Sequence, residues 1–368
     1  MTGFTPPPYP YDRLAPLQAA ARATPGGLVD LSIGTPFDPP PPFLAAAMGD
    51  AAAARTYPPS VGTAAYREAA AGWLARRFGA AVDPTAVAAC VGSKELVAGV
   101  PQWLRLRTPE RDTVLYPEIS YPTYAMGATL AGCRAVPIPV DERWRLRLDA
   151  IDPADADRAL CLWVNTPGNP AGGLDDLGAA ATWGRDRGVP VLSDECYAEF
   201  TWDGPPRSIL QHGSDGVLAV HSLSKRSNFA GARAGFYAGD ADLVHYLSEV
   251  RKHAGFMVPG PVQAAGALAW SDDDHVAVQR ATYLERLELL VEGFTAAGLP
   301  AAVPGGAFYL WVAAPGGDAW ALADRLARTA GLLVSPGEFY GPAGAGHVRV
   351  AAVAPVERLA PALGRLAG

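Results

Sequence analysis

From about residue 85 onward, short unbroken apolar runs alternate with longer amphipathic stretches. The runs at 87–91, 113–116, 135–138, 159–164, 189–193, 217–220 and 234–238 show no polar/apolar alternation. Such runs predict strands buried on both faces. Helices are predicted between them, as over 174–187 and 241–253. This alternation predicts an α/β fold with a mostly parallel central sheet and helices on both faces. Upstream, Thr63 is placed to cap a helix that ends at Phe78 and stops at Gly79, with Trp73, Leu74 and Phe78 on one face. Downstream, a long helix over 274–297 leads into a second, smaller α/β domain. There strands at 307–312, 332–335 and 347–351 alternate with helices at 318–330 and 355–366. The proline clusters at 6–10 and 39–42 favour extended backbone and oppose helix. Residues 43–54, interrupted by Gly49 and Asp50, read as a helix. The expected organisation is an extended N-terminal arm over 1–40 that forms part of the small domain, a large domain over 41–262 and a C-terminal small domain over 263–368.

Composition narrows the class. A hydrophobic fraction of 49% is enough for a sizeable core, and a net charge of −7 argues against a nucleic-acid surface. It fits a protein that binds small anionic molecules through local arginines. Cys90, Cys133, Cys161 and Cys196 are widely spaced and form no CxxC pair, as expected of free thiols in a reducing cytoplasm. The N-terminus has neither a basic region nor an apolar core of the signal-peptide kind, and no apolar stretch has membrane-spanning length. A cytoplasmic location and no membrane partner are expected.

Lysine usage changes the picture most. Lys94, Lys225 and Lys252 are the only lysines; every other basic residue among the 30 Lys and Arg is arginine. Arginine keeps its proton at any working pH, whereas a lysine amine can be tuned to attack a carbonyl. Lys225 follows the 217–220 run in His221-Ser-Leu-Ser-Lys225, and Arg233 comes two helical turns' worth of residues later. The alternative is an exposed loop lysine. In open α/β sheets, ligand-binding residues lie beyond the carboxyl ends of strands. Gly92-Ser93-Lys94 follows the 87–91 run and opens a helix, Asn169 follows 159–164, and Asp194 with Tyr197 follows 189–193. Asn169, Asp194 and Lys225 are each about one βα unit, roughly 30 residues, apart. Each signal has a plainer counterpart: a strand-to-helix turn, a proline-rich turn, a capping Asp.

Taken together, these residue types suit pyridoxal 5'-phosphate. Lys225 offers the amine for the aldehyde, and Asp194 a carboxylate for the ring nitrogen. Asn169 and Tyr197 offer donors for the phenolic oxygen, and Tyr121 an aromatic face. The amides of Ser93 and Lys94, the Ser222 hydroxyl and the Arg233 fork offer a phosphate site. In their order along nearly the whole chain, and in the run Ser222-x-x-Lys225 with Arg233 beyond, these residues resemble the fold-type I, class I and II pyridoxal-phosphate aminotransferases. The resemblance implies that Lys225 is the Schiff-base lysine and the proton shuttle, and that Asp194 pairs with the pyridinium. It implies that Tyr57 reaches the phosphate of a neighbouring subunit in a homodimer with shared sites. It also implies that Arg349 clamps the substrate carboxylate and that Gly34 contacts substrate. Two positions depart from the family pattern: Ala171 where Thr is common, and Ala232 where a bulkier residue is usual.

The strings 221–228, 251–259, 121–124 and 339–344 resemble more closely the actinobacterial N-succinyldiaminopimelate aminotransferases. That resemblance implies amino transfer from glutamate to N-succinyl-2-amino-6-oxoheptanedioate in lysine biosynthesis. Arg251, Lys252 and His253 are candidates to meet the distal acidic groups, or else are cations at a helix C-terminus. The rival readings are an aminotransferase of secondary metabolism, a β-C–S lyase using the same cofactor, and a pyridoxal-phosphate-binding regulator.

Overall fold

The computed structural model describes residues 3–49 and 51–367. Met1, Thr2 and Asp50, which entered the sequence reading, lie outside the described residues. The larger of two compact units comprises residues 35–283 and 304–307. The smaller comprises the described residues up to Gly34 with 284–303 and 308–367. In chain order the strands are β1 (Val29–Asp30), β2 (Val87–Cys90), β3 (Thr113–Pro117), β4 (Arg134–Ile138), β5 (Ala159–Asn165), β6 (Val191–Asp194), β7 (Val217–Ser222), β8 (Gly235–Gly239), β9 (Tyr309–Ala313), β10 (Leu332–Leu333), β11 (Ser335–Pro336) and β12 (His347–Ala351).

The larger unit is built on a seven-stranded sheet of order β2-β8-β7-β6-β5-β3-β4. Strand β8 runs antiparallel to both of its neighbours; every other neighbouring pair is parallel. The apolar runs are unbroken because both faces are covered. Leu115, Leu162, Val164 and Ala219 pack on one side with Trp73, Trp183 and Trp270. Val114, Cys161, Trp163, Leu218 and Val220 pack on the other with Trp103, Tyr124 and Leu247. The helices on the first face include Ala64–Phe78, Leu177–Arg187 and Gly260–Ser271; those on the second include Ser93–Arg107, Thr123–Leu130 and Ala241–His253. Local signals explain their ends. The Thr63 hydroxyl accepts from the Tyr66 amide at 3.2 Å, and Gly79 closes that helix at φ 65°.

The smaller unit holds an antiparallel sheet of order β11-β12-β9 and a parallel β1-β10 pair. Its helices include Ala15–Ala23, Ala319–Ala330 and Val356–Ala367. Three sequence expectations are corrected. The segment 1–40 is not simply extended: it holds a 3-10 turn, Pro10–Leu14, and the helix Ala15–Ala23. Pro10 and Pro16 sit in first turns, where a missing N–H costs nothing, so proline there opens helices rather than forbidding them. Pro42 does the same for the helix Pro42–Ala47, and the expected longer helix resolves into that segment and the 3-10 turn Ala52–Ala54. The expected strand over 332–335 divides at Val334, with β10 and β11 joining different sheets.

Candidate active site

In the larger unit the strand register gathers the predicted residues. Asn165 pairs with Asp194, and Asp194 pairs with Val220, at the carboxyl ends of β5, β6 and β7. Cys90 and Ser222 both pair with Gly235, the first residue of β8. Because β8 is inverted, its start lies beside the ends of its neighbours. Arg233, which precedes a strand, therefore arrives with residues that follow strands.

Asp194 is buried. Its Oδ2 accepts from the Tyr124 hydroxyl at 3.0 Å and its Oδ1 from the Cys196 amide at 3.2 Å. Burial raises the carboxyl above its ordinary value, while the hydrogen bonds from Cys196 and Tyr124 and the charge of His221 act the other way. The Tyr124 ring stacks on Trp163 at 5.1 Å, which fixes where its hydroxyl points. The Asn165 side chain ties two strand ends together. It donates to the Asp194 carbonyl at 2.8 Å and accepts from the Asn169 amide at 2.8 Å. Asn169 and Tyr197 are also buried, and the Tyr121 ring stands edge-on to Tyr124 at 5.9 Å.

A second cluster forms around the start of the 15-residue helix Ser93–Arg107. Its N-cap, Gly92, has φ 73°, and a Cβ there would lie 2.1 Å from Nη2 of Arg233. Glycine thus lets the guanidinium rest against the backbone where first-turn amides converge. Arg233 itself has φ 57°; its Nη1 donates to the Ala230 carbonyl at 2.9 Å and approaches the Ser224 hydroxyl at 3.5 Å. Ser222 caps the four-residue helix Leu223–Arg226, accepting from the Ser224 amide at 3.1 Å, and that helix carries Lys225.

In the smaller unit, Arg349 occupies the central strand β12 and is buried. Its guanidinium lies over the rings of Tyr309 and Tyr340, 4.2 and 4.7 Å from their centroids. Its Nη2 donates to the Ser32 carbonyl at 2.7 Å and reaches the Tyr11 hydroxyl at 3.4 Å. By pattern alone this residue would pass for a strand-edge surface arginine. A Cβ on Gly34 would fall 2.0 Å from the Tyr309 hydroxyl, so only glycine admits that ring.

The family model for aminotransferase class I and II matches residues 27–366. The chain belongs to this family. It is 45% identical to OxyQ of Streptomyces rimosus, a 4-dedimethylamino-4-oxo-anhydrotetracycline transaminase, over 98% of this chain and 99% of that one. It is 46% identical to the probable aminotransferase Rv1178 of Mycobacterium tuberculosis, over 98% of this chain and 85% of the other. Among solved structures, a probable N-succinyldiaminopimelate aminotransferase of Thermus thermophilus aligns with TM-score 0.87 and 30% identity, covering 97% of this chain and 99% of that one.

Class I and II aminotransferases use pyridoxal 5'-phosphate, take amino and keto acids as substrates and are generally dimeric. The residues present fit that cofactor. The glycine cradle under Arg233 suits a phosphate. The buried carboxyl of Asp194, raised by desolvation and held by neutral donors, suits a cationic ring nitrogen. No described helix is long and apolar enough to cross a membrane.

Of the predicted residues, Ser93, Lys94, Tyr121, Asn169, Asp194, Tyr197, Ser222, Lys225 and Arg233 lie in the larger unit, and Gly34 and Arg349 lie in the smaller. Tyr57, 94% exposed in the larger unit, stands outside both clusters. The 251–253 run closes the helix Ala241–His253, the second of the two readings given for it. Arg251 is buried in a two-pronged ion pair with Glu95, at 2.6 and 2.9 Å, under the rings of Trp103 and Phe256. Its charge is consumed inside the fold. Lys252 is exposed beside Glu249, and His253 ends the helix Ala241–His253 in the open. Sequence reasoning missed Tyr124, Asn165 and Gly92 as working parts. Only Gly92 carried a signal, a glycine between a strand and a helix.

Proposed function

We propose that this aminotransferase moves the amino group of glutamate to a 2-oxo acid, and that the acceptor is N-succinyl-2-amino-6-oxoheptanedioate of the diaminopimelate and lysine pathway. The observation that carries the 2-oxo-acid reading is the Arg349 fork, a buried cation shaped by two tyrosine faces and a carbonyl to receive a carboxylate in two-pronged fashion. The likeness to the Thermus thermophilus enzyme supports the particular acceptor. Pyridoxal 5'-phosphate supplies the electron sink that makes an amino-acid α-proton acidic. Asp194 holds a positive charge at the ring nitrogen. Ser93, Lys94, Ser222 and Arg233 bind the phosphate, with Tyr57 of a second copy of the chain reaching toward it in a homodimer. Asn169 and Tyr197 donate to the phenolic oxygen, and Tyr121 covers the ring. Lys225 Nζ would hold the cofactor at rest and, once free, would accept the substrate α-proton and hold it for redelivery. Arg349 orients donor and acceptor alike, and Gly34 leaves room for them.

A second reading rests on the 45% identity to OxyQ: the same chemistry on an acceptor of secondary metabolism. Single-turnover absorbance separates the two. The enzyme is first converted with glutamate, then offered the succinylated keto acid, 2-oxoglutarate, or a ring ketone of the tetracycline kind. Return of the starting spectrum with the succinylated acid supports the first reading; return only with the ring ketone replaces it with the second.

A further inference from the structure

The run Arg226-Ser227-Asn228, directly after Lys225, takes no part in the assignments above, yet the fold grips all three side chains. Arg226 is 2% exposed. Its guanidinium lies over the adjoining indoles of Trp73 and Trp270, 5.3 and 5.2 Å from the ring centroids. Its Nη1 donates to the Ala269 carbonyl at 2.5 Å; its Nη2 donates to the Asp272 carbonyl at 2.9 Å and to the Asp273 carboxylate at 3.0 Å. Its Nε lies 3.5 Å from the buried carboxylate of Glu199. That carboxylate is itself held by Trp73 Nε1 at 2.8 Å and by the fork of Arg77 at 2.9 and 3.1 Å. The Ser227 hydroxyl meets His275 Nε2 at 2.8 Å, and the Asn228 amide donates to Gln279 at 2.7 Å.

These anchors belong to the helices Ala64–Phe78, Gly260–Ser271 and Asp274–Ala296 and to the turn between the last two. The piece they hold is small. Leu223–Arg226 is one helical turn, too short to hold its own shape. Ser222 caps one end of it, and the gripped triplet closes the other. Lys225 thus sits on a turn pinned on both sides to the body of the larger unit.

We infer that Arg226, with Ser227 and Asn228, is a positioning clamp for Lys225, which keeps the lysine backbone in place during the part of each half-reaction when its amine is not bonded to the cofactor. This rests on the role proposed above for Lys225. At rest a covalent link would hold the turn to the cofactor. Once that link is exchanged for the substrate's amine, the freed Nζ must carry a proton between two carbons, and only non-covalent contacts then hold its backbone. A displacement near 1 Å costs about 100-fold in such a step.

The test uses Arg226→Met and Arg226→Lys in the holoenzyme. The expected result for Arg226→Met is a fall of about 10- to 100-fold in the rate of the glutamate half-reaction, with KM for glutamate within about threefold of the parent. Arg226→Lys, which keeps the charge but loses the fork, falls between the two and remains informative where the methionine variant fails to fold. The discriminating arm repeats both substitutions in Lys225→Ala enzyme supplied with a small primary amine as proton carrier. There the clamp has no lysine to place, and the amine-assisted rate is unchanged by Arg226→Met or Arg226→Lys. A readout independent of turnover is amide hydrogen exchange over residues 223–227, expected to speed up in the Arg226 variants, and more so when Lys225→Ala removes the covalent link. Equal losses with and without Lys225, or unaltered exchange, overturn the clamp. Lys225→Ala that turns over unaided overturns the underlying role of Lys225 instead.

Discussion

Asp194 and Arg349 are both buried charges on strands inside their sheets, yet each unit holds its charge with different materials. Neutral donors hold Asp194: a tyrosine hydroxyl and a backbone amide, with burial pushing its carboxyl up. Ring faces, the Ser32 carbonyl at 2.7 Å and the Tyr11 hydroxyl at 3.4 Å meet Arg349. A carboxyl that is costly to ionise unaided is suited to a resident cation. An arginine stacked on rings presents a planar fork, the shape the proposed role of Arg349 needs to meet a carboxylate. On the roles proposed above, the contrast is between a permanent guest and a series of temporary ones, and experiments can set one against the other.

The largest effect falls on the resident side. Lys225→Ala is expected to lower turnover by roughly 10,000-fold while the cofactor stays bound without its covalent link; absorbance and half-reaction rates check both, and substantial surviving transamination breaks the assignment. Next comes the visiting side. Arg349→Lys keeps the charge and loses the fork, and kcat/KM for glutamate should fall about 100-fold with cofactor affinity unaltered. Coupled loss of cofactor would show that the two regions are not separable in function. Smaller again is Gly92→Ala, which places a methyl group where the Arg233 guanidinium rests and forces an L residue to φ 73°. Arginine's flexible end can retreat, so the expected loss is about tenfold in cofactor affinity, read by equilibrium titration, and about 1–2 kcal/mol of stability from the backbone.

The smallest effect is a pH dependence. A carboxyl whose folded value is raised favours its protonated form. The stability it contributes is present below its ordinary value of 3.8 and is lost as pH rises through the raised one. Cofactor-free Asp194→Asn should therefore melt above the cofactor-free parent at neutral pH, and the gap should close as pH falls toward 4. Loading the cofactor should reverse the order at neutral pH, because the parent then has a cation to meet. A gap that does not vary with pH counts against a cost of ionising Asp194.

Much of the resident side was legible in the chain. Strands buried on both faces leave unbroken apolar runs, and the residues just beyond them fall at one edge of a parallel sheet, so Asn169, Asp194 and Ser222 could be placed by counting βα units. Arg233 could not be placed by that rule, because the inversion of β8 leaves no local mark. Tyr124 was hidden in a helix, where a tyrosine reads as core until its hydroxyl is seen on Asp194. The visiting side was legible only through family resemblance. Arg349 lies on a five-residue strand, and what buries it comes from Ser32 and Tyr309, far away in sequence. The burial of Arg251 was not legible because three adjacent cations look alike in sequence, while helix geometry sends the first inward to Glu95 and leaves the next two in solvent.

The inverted strand also sets a timetable. Among the described strands, β2 pairs only with β8, so the first strand of this sheet in chain order has no strand partner until the last one is made. Gly92 and Arg233 ride on those two strands. A growing chain can set Asn165 against Asp194 early, but Arg233 reaches Gly92 only when β8 enters between β2 and β7, a long-range event. On the roles proposed above, a chain truncated before residue 233 would keep Asp194 and Lys225 but lack the guanidinium that rests over Gly92.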